Sequence, residues 1–351
     1  VSGLSLGLFF LFPFIITTIL LMGYSKITAL LTTVGSVCIG LIGTSYSLTE
    51  MSVVNEYLGL SAASELITKL IILVVGLIIL IVNTLLYARK HRINSPRKGF
   101  LYPETTNEKA KTWPIVFVFD AVLVVMILSF ISWTGAFEIT LFDDVLKSIN
   151  EFKIGEFPIF AKLIGGVSSF GNWSLTDLTI LVVIAAGFVA LLGKVSFNDM
   201  VKGFGQGAKK ALKPAFIASM VYVFIFIAAY HPYTITIMDP IMSLTDTFNV
   251  VTTSLTSLIS HIFNVEMYYS ASNTLGYLTS VITDTSVYGV VGVIWQTTYG
   301  LAMLFVPTSV ILVASLAYLN VSYGKWLKAI WKLLLQLIVA LLIIFLIIAM
   351  I

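Results

Sequence analysis

The chain has 351 residues, of which 58% are hydrophobic and only 11% charged, with a net charge of +3 and a mean hydropathy of +1.02. A soluble domain carries about a quarter charged residues, so the composition excludes an ordinary water-soluble fold and predicts an all-α polytopic membrane protein. One cysteine, Cys38, excludes an internal disulfide, and with three histidines it leaves no zinc-type ligand set.

About 20 apolar residues cross a bilayer. In chain order the candidate spans are 4–22, an interrupted 27–60, 66–87, 114–135, 178–193, 215–231, an interrupted 286–319 and 326–351. Val1 falls inside an apolar stretch with no charged leader ahead of it, so earlier spans are expected upstream. The first interrupted segment is apolar to Gly43, then passes through Thr44-Ser45-Tyr46-Ser47-Leu48-Thr49-Glu50. The second breaks at Val306-Pro307-Thr308-Ser309. In hydrocarbon an unpaired backbone group costs several kcal/mol, so such a break survives only inside protein or beside water. Two breaks in corresponding places of two halves mark the binding site of a secondary transporter.

Between these units the charges are sorted. Residues 89–98 carry Arg89, Lys90, Arg92, Arg97 and Lys98, and the connector 194–213 is lysine-rich, whereas 134–177 is mainly acidic. Basic loops stay in the cytoplasm, which puts the acidic connector outside. Within it, 140–162 mixes charges with Leu141, Val145, Ile149, Phe152 and Phe157, the pattern of an amphipathic connector lying along the membrane surface. Residues 234–267 read as a polar-lined span or an interfacial segment, with Asp239, Asp246, His261 and Glu266 expected to be solvated. Residues 268–285 read as the tip and second arm of a re-entrant hairpin.

The resulting organisation is a first transport repeat over 1–88, its start missing, and a cytoplasmic loop over 89–112. A scaffold span and external connector follow over 113–177, scaffold spans over 178–267, and a second transport repeat over 268–351. Ser47 lies 19 residues before Leu66, and Pro307 lies 19 before Trp326, each of those positions opening a long apolar helix. The first such helix ends at a basic loop, whereas the second begins with Lys325, Lys328 and Lys332. Matched layout with opposite charge asymmetry predicts an inverted repeat with two discontinuous helices.

The segments Gln296-Thr297-Thr298-Tyr299-Gly300, Val306-Pro307-Thr308-Ser309 and Val321-Ser322-Tyr323-Gly324-Lys325-Trp326-Leu327-Lys328 resemble the C-terminal motif of YfcC-type transporters. That motif reads Q-x-x-x-G, T-P-T-S and V-P-Y-G-K-W-L. Phe12-Pro13, Gly23-Tyr24, Gly43-Thr44-Ser45 and Tyr87-Ala88-Arg89 are similar to the family's N-terminal landmarks. These carriers belong to the ion transporter superfamily, alongside p-aminobenzoyl-glutamate and C4-dicarboxylate carriers. The chain departs from the pattern at Ser47-Leu48, where the family has Asn-Pro, and at Val306 and Met303, where it has Thr and Asn. Leu6 and Gly7 stand where it has paired Glu. The resemblance implies a homodimer joined through the scaffold, including 113–135.

A carrier needs groups that replace a solute's hydration shell and then release it. Short hydroxyls, amides and free backbone groups at helix breaks do this. The candidates are Thr44, Ser45, Ser47, Thr49 and Glu50 at the first break and Pro307, Thr308 and Ser309 at the second, with Gln296 and Thr297 upstream and Ser272 and Asn273 in the hairpin. The competing reading is that these hydroxyls bond back to their own helices. The sequence thus predicts ion-coupled transport of a small carboxylate-bearing solute, an amino acid or a C4-dicarboxylate, with Na⁺ or H⁺ as the coupling ion. A non-transporting membrane scaffold derived from a transporter is the alternative. No cofactor, nucleic-acid surface or nucleophile–base pair is apparent, which speaks against an enzyme.

Overall fold

A computed structural model describes residues 7–44, 50–61, 64–92, 113–131, 133–163, 168–230, 233–245 and 247–350. The described elements are overwhelmingly helical. In chain order the main ones are α1 (Phe12–Leu21), α2 (Lys26–Ile42), α3 (Glu50–Leu58), α4 (Leu66–Lys90), α5 (Trp113–Phe130), α6 (Leu141–Glu151) and α7 (Leu175–Leu192). Then come α8 (Phe197–Tyr230), α9 (Tyr233–Met242), α10 (Val250–Phe263), α11 (Met267–Val281), α12 (Tyr288–Met303), α13 (Val310–Leu319) and α14 (Tyr323–Ile348). Among the described residues, α4, α5, α7, α8 and α14 are long and apolar enough to cross a membrane. The chain is an all-α polytopic membrane protein.

Both interrupted segments are broken helices. The first stops at Ile42 and resumes at Glu50; the second stops at Met303 and resumes at Val310. Each is followed by a long apolar helix, and corresponding pieces pack together, α2 on α12 and α4 on α14. Within α2, one π-helical turn over Leu31–Gly35 widens the coil where Gly35 faces Leu80. Mid-span, Asn83 of α4 donates to Gln336 of α14 at 2.6 Å.

α12 lies at the centre, buried continuously from Val291 to Met303. Its approach to α2 needs glycine: a Cβ on Gly300 would stand 2.4 Å from the backbone nitrogen of Ile42. Likewise, a Cβ on Gly43 would stand 2.4 Å from Cβ of Leu73 in α4. Backbones meet at these two places, and the absent side chain is what lets them.

Three expectations need correction. The last helix opens at Tyr323, three residues earlier than the matched spacing requires, because Lys325 and Trp326 already donate their N–H groups to the carbonyl of Ser322. The basic connector 194–213 is the first half of α8 rather than a loop: the Ser196 hydroxyl accepts from Asp199 N–H at 3.2 Å, and the helix continues through Pro214. The hairpin consists of α10 and α11: its second arm falls within 268–285 as expected, but its tip is Asn264–Glu266, ahead of that range. Asn264 and Glu266 stop the helices there, since the Asn264 side chain accepts from Glu266 N–H and the Glu266 carboxylate caps Tyr268 and Tyr269. Asp284 caps the turn leading into α12, as Asp does at a helix start.

At the periphery, α5 and α7 pack through Val118, Val122, Met126 and Leu178, with Leu11 from the turn before α1. Asp120 is exposed on α5. The turn Gly171–Leu175 closes this pair, with Gly171 N–H donating to Ser129 O at 2.8 Å and a Ser174–Asp177 capping box opening α7.

Candidate functional site

A helix that stops inside an apolar body leaves its last carbonyls and the next helix's first N–H groups without intrahelical partners. At the first break, α12 supplies what α2 lacks: Gln296 Nε2 donates to Leu41 O at 3.0 Å and Thr297 Oγ1 to Ile42 O at 3.4 Å. Thr44 turns back on its own helix, donating to Gly40 O at 3.1 Å. At the second break the chain tightens through i→i+3 bonds (Leu304 N to Leu301 O, Phe305 N to Ala302 O) before Pro307 ends it. The Trp326 indole then donates to Leu304 O at 2.8 Å, and the Tyr323 hydroxyl to Phe305 O. The Tyr-Gly-Lys-Trp segment at the start of α14 therefore seals the break.

The hairpin seals it from the other side. Thr308 Oγ1 donates to Ile262 O and Tyr299 OH to Val265 O, both at 3.2 Å. His261, expected to be solvated, is fully buried. Its Nε2 bonds Trp295 O at 3.2 Å and its Nδ1 bonds Ser270 Oγ at 3.0 Å, while its ring packs edge-on against Trp295 and Tyr299. A carbonyl only accepts, so Nε2 carries a hydrogen there. Hydroxyls of Ser260 and Thr274 bond across the hairpin. The hairpin, the second break and α12 form one locked body.

Several buried side-chain atoms lack a hydrogen-bond partner among the described residues. They include Ser309 Oγ at the second break, Gln296 Oε1 and Trp295 Nε1 on α12 and Asn264 Nδ2 at the hairpin tip, and also the hydroxyls of Thr253, Ser254, Thr256 and Ser257 along α10. A buried polar atom left unpaired costs about 1–3 kcal/mol. Ser309 is also the N-cap residue of α13, is 0% exposed and makes no capping bond. The first intrahelical bond beyond it runs from Val313 N–H to Ser309 O, so the opening N–H groups of α13 are without helical partners. That end carries partial positive charge and suits an anion.

The structure places Thr44, Gln296 and Thr297 at the first break and Thr308 and Ser309 at the second, where Thr308 bonds the hairpin, with Pro307 exposed at the turn. Ser45, Ser47 and Thr49 lie outside the described residues, and Glu50 is placed only as the first residue of α3. Ser272 and Asn273 do not reach the tip. They sit half-buried inside α11, with Ser272 bonding back to Tyr269 O at 3.0 Å. Sequence reasoning missed Asn264 and His261. The signal available was Asn264-Val265-Glu266 between two Ser/Thr-bearing apolar runs, a turn flanked by a cap.

Neither a curated protein nor a solved structure matches the chain. The DcuC family, described as C4-dicarboxylate anaerobic carrier, matches residues 5–351. With nearly the whole chain inside that match, this protein belongs to the family of C4-dicarboxylate anaerobic carriers.

Proposed function

We propose that the chain is a secondary active transporter that carries a C4-dicarboxylate across the plasma membrane of a bacterium. The observation that carries this reading is the uncapped start of α13, where the buried, partnerless Ser309 hydroxyl sits among free backbone N–H groups. One carboxylate of the solute would take those N–H groups and the Ser309 hydroxyl. Two residues beyond the Ile262 carbonyl that Thr308 reaches, Asn264 holds a buried amide nitrogen without a partner. Gln296 Oε1 offers an acceptor, which suits a cation or a protonated group better than a carboxylate. Coupling to Na⁺ or H⁺, with Glu50 as the candidate carrier of the ion, belongs to the same proposal.

The two broken units are read as an inverted repeat, so that the hairpin, α12 and α13 move against the α5–α7 pair during alternating access. A homodimer through 113–135 would hold that scaffold still. The Tyr323 and Trp326 seals support the narrower YfcC-type likeness, since those motif residues have a physical task here.

Proteoliposomes containing the purified chain test the proposal. Uptake of labelled succinate or fumarate, driven by a Na⁺ or H⁺ gradient or by internal dicarboxylate, is the expected result. Absence of both uptake and binding, with stable co-purification of other membrane subunits, would favour a non-transporting scaffold.

A further inference from the structure

The connector between α5 and α7 carries a surface that the transport reading does not use. Both helices are membrane spans, and they pack side by side through Val118, Val122, Met126 and Leu178. The Gly171–Ser129 bond closes their shared end. The described residues of this connector, 133–163 and 168–174, must therefore emerge at one bilayer face. At that rim Trp133, Phe142, Phe170 and Trp173 meet in sequence in tilted and edge-to-face pairs, with centroids 5.1–5.3 Å apart. Aromatic rings of this kind collect at the headgroup level.

α6 leans on that cluster through Phe142 and leaves a row of apolar side chains uncovered. Leu141 (60% exposed), Val145 (49%), Ile149 (43%) and Phe152 (52%) recur at helical spacing. Ile154 and Phe157 continue the row on a two-stranded turn, where Lys153 pairs with Pro158 and Ile154 with Phe157. The polar side holds Asp143, Asp144, Lys147 and Glu151. An apolar row at the depth of an aromatic belt has a ready occupant in the headgroup–acyl boundary.

We propose that α6 and the strand turn after it form an interfacial anchor, seated in the bilayer surface where α5 and α7 emerge, in neutral or zwitterionic lipid. Charge selects the lipid class. Residues 138–162 carry five carboxylates (Glu138, Asp143, Asp144, Glu151, Glu156) against three lysines, so an anionic surface repels the segment rather than recruiting it. The anchor fixes the depth of the α5–α7 pair, and it does so whatever solute the chain carries.

The native chain in phosphatidylcholine nanodiscs can be tested without a variant, using a lipid-borne diazirine and peptide mapping. Adducts on Leu141, Val145, Ile149 or Phe152 are expected. Their absence while α5 and α7 are labelled would overturn the proposal. Single-cysteine probes (Val145→Cys and Lys147→Cys, with Cys38 buried) give a second reading. An environment-sensitive dye at position 145 should be quenched several-fold more by lipid-borne than by aqueous quencher, and the order should reverse at 147. Equal aqueous quenching at both would refute it, as would protection at 145 that vanishes on diluting protein in lipid, which would assign the row to a second copy. Adding anionic lipid should not increase the protection; an increase would overturn the lipid class proposed.

Discussion

Two helix pairs in this molecule illustrate two ways of holding apolar helices together. In α5–α7 the contact is made by Val118, Val122, Met126 and Leu178, while neighbouring Phe117, Val124, Ile180 and Phe188 stay more than half exposed. Its hydroxyls bond locally, Ser129 to Val125 O and Thr179 to Leu175 O. In α2–α12 the helices touch backbone to backbone at Gly300, and Gln296 and Thr297 reach across to carbonyls of the other helix. Side-chain volume decides the first contact. In the second, each polar group has one destination, so few residues substitute for those present. Of the two, the second arrangement leaves helix ends inside the protein, and those ends are where the proposed site lies.

Substitution at glycine should separate the pairs most sharply. Gly300→Ala forces a Cβ against the Ile42 backbone, and overpacking of this kind typically costs 1–3 kcal/mol or more. The expected result is loss of folded yield, read by size-exclusion chromatography in detergent. Gly203→Ala in α8 meets nothing within 4 Å, and alanine is favoured over glycine inside a helix by roughly 0.5–1 kcal/mol. That variant should melt no lower than the native chain. Equal behaviour of the two would end the distinction.

Next in size is the seal of the second break. Trp326→Phe keeps the ring in its fully buried place and removes the bond to Leu304 O. Orphaning that buried carbonyl should cost about 1–3 kcal/mol, seen as a lower midpoint in thermal unfolding. Trp331→Phe, on the exposed side of the same helix, should change little.

Most of the fold was legible because hydrophobic length and backbone chemistry speak locally. Gly43 and Pro307 announced both breaks, and α4, α5, α7 and α14 began within three residues of their expected places. The hairpin tip was not legible. Its arms are rich in Ser and Thr that bond their own or each other's helices, as Ser272 and the Ser260–Thr274 pair do, and composition does not separate these from solute ligands. His261 was misjudged for a related reason. Its two partners, Ser270 and Trp295 O, come from different elements, and no spacing along the chain reveals that they converge. The length of α8 was missed because lysines look like loop when only apolar runs are counted.

A smaller effect belongs to the outer connector. Hydrogen bonds from Ser169 and Thr134 hold the Asp143 carboxyl below its usual range. A depressed carboxylate contributes stability above the unfolded value of about 3.9 and loses it as pH falls through the lower folded value. Thr134→Val should therefore lower the melting midpoint slightly at neutral pH, and the gap to the native chain should close in strong acid. A gap that widens in acid would show the reverse coupling.

Ser309 provides the most direct test, because its hydroxyl is buried at the start of α13 with no partner among the described residues. If it is kept for a solute, removing it should relieve the empty protein and weaken the loaded one. Ser309→Ala is predicted to raise or preserve the unfolding midpoint without solute. It should also weaken binding of succinate or fumarate, measured by calorimetric titration, by roughly two- to tenfold, the equivalent of one hydrogen bond of about 0.5–1.5 kcal/mol. A Ser309→Ala chain that folds normally and binds dicarboxylate as tightly as the native one would contradict a site at the uncapped end of α13.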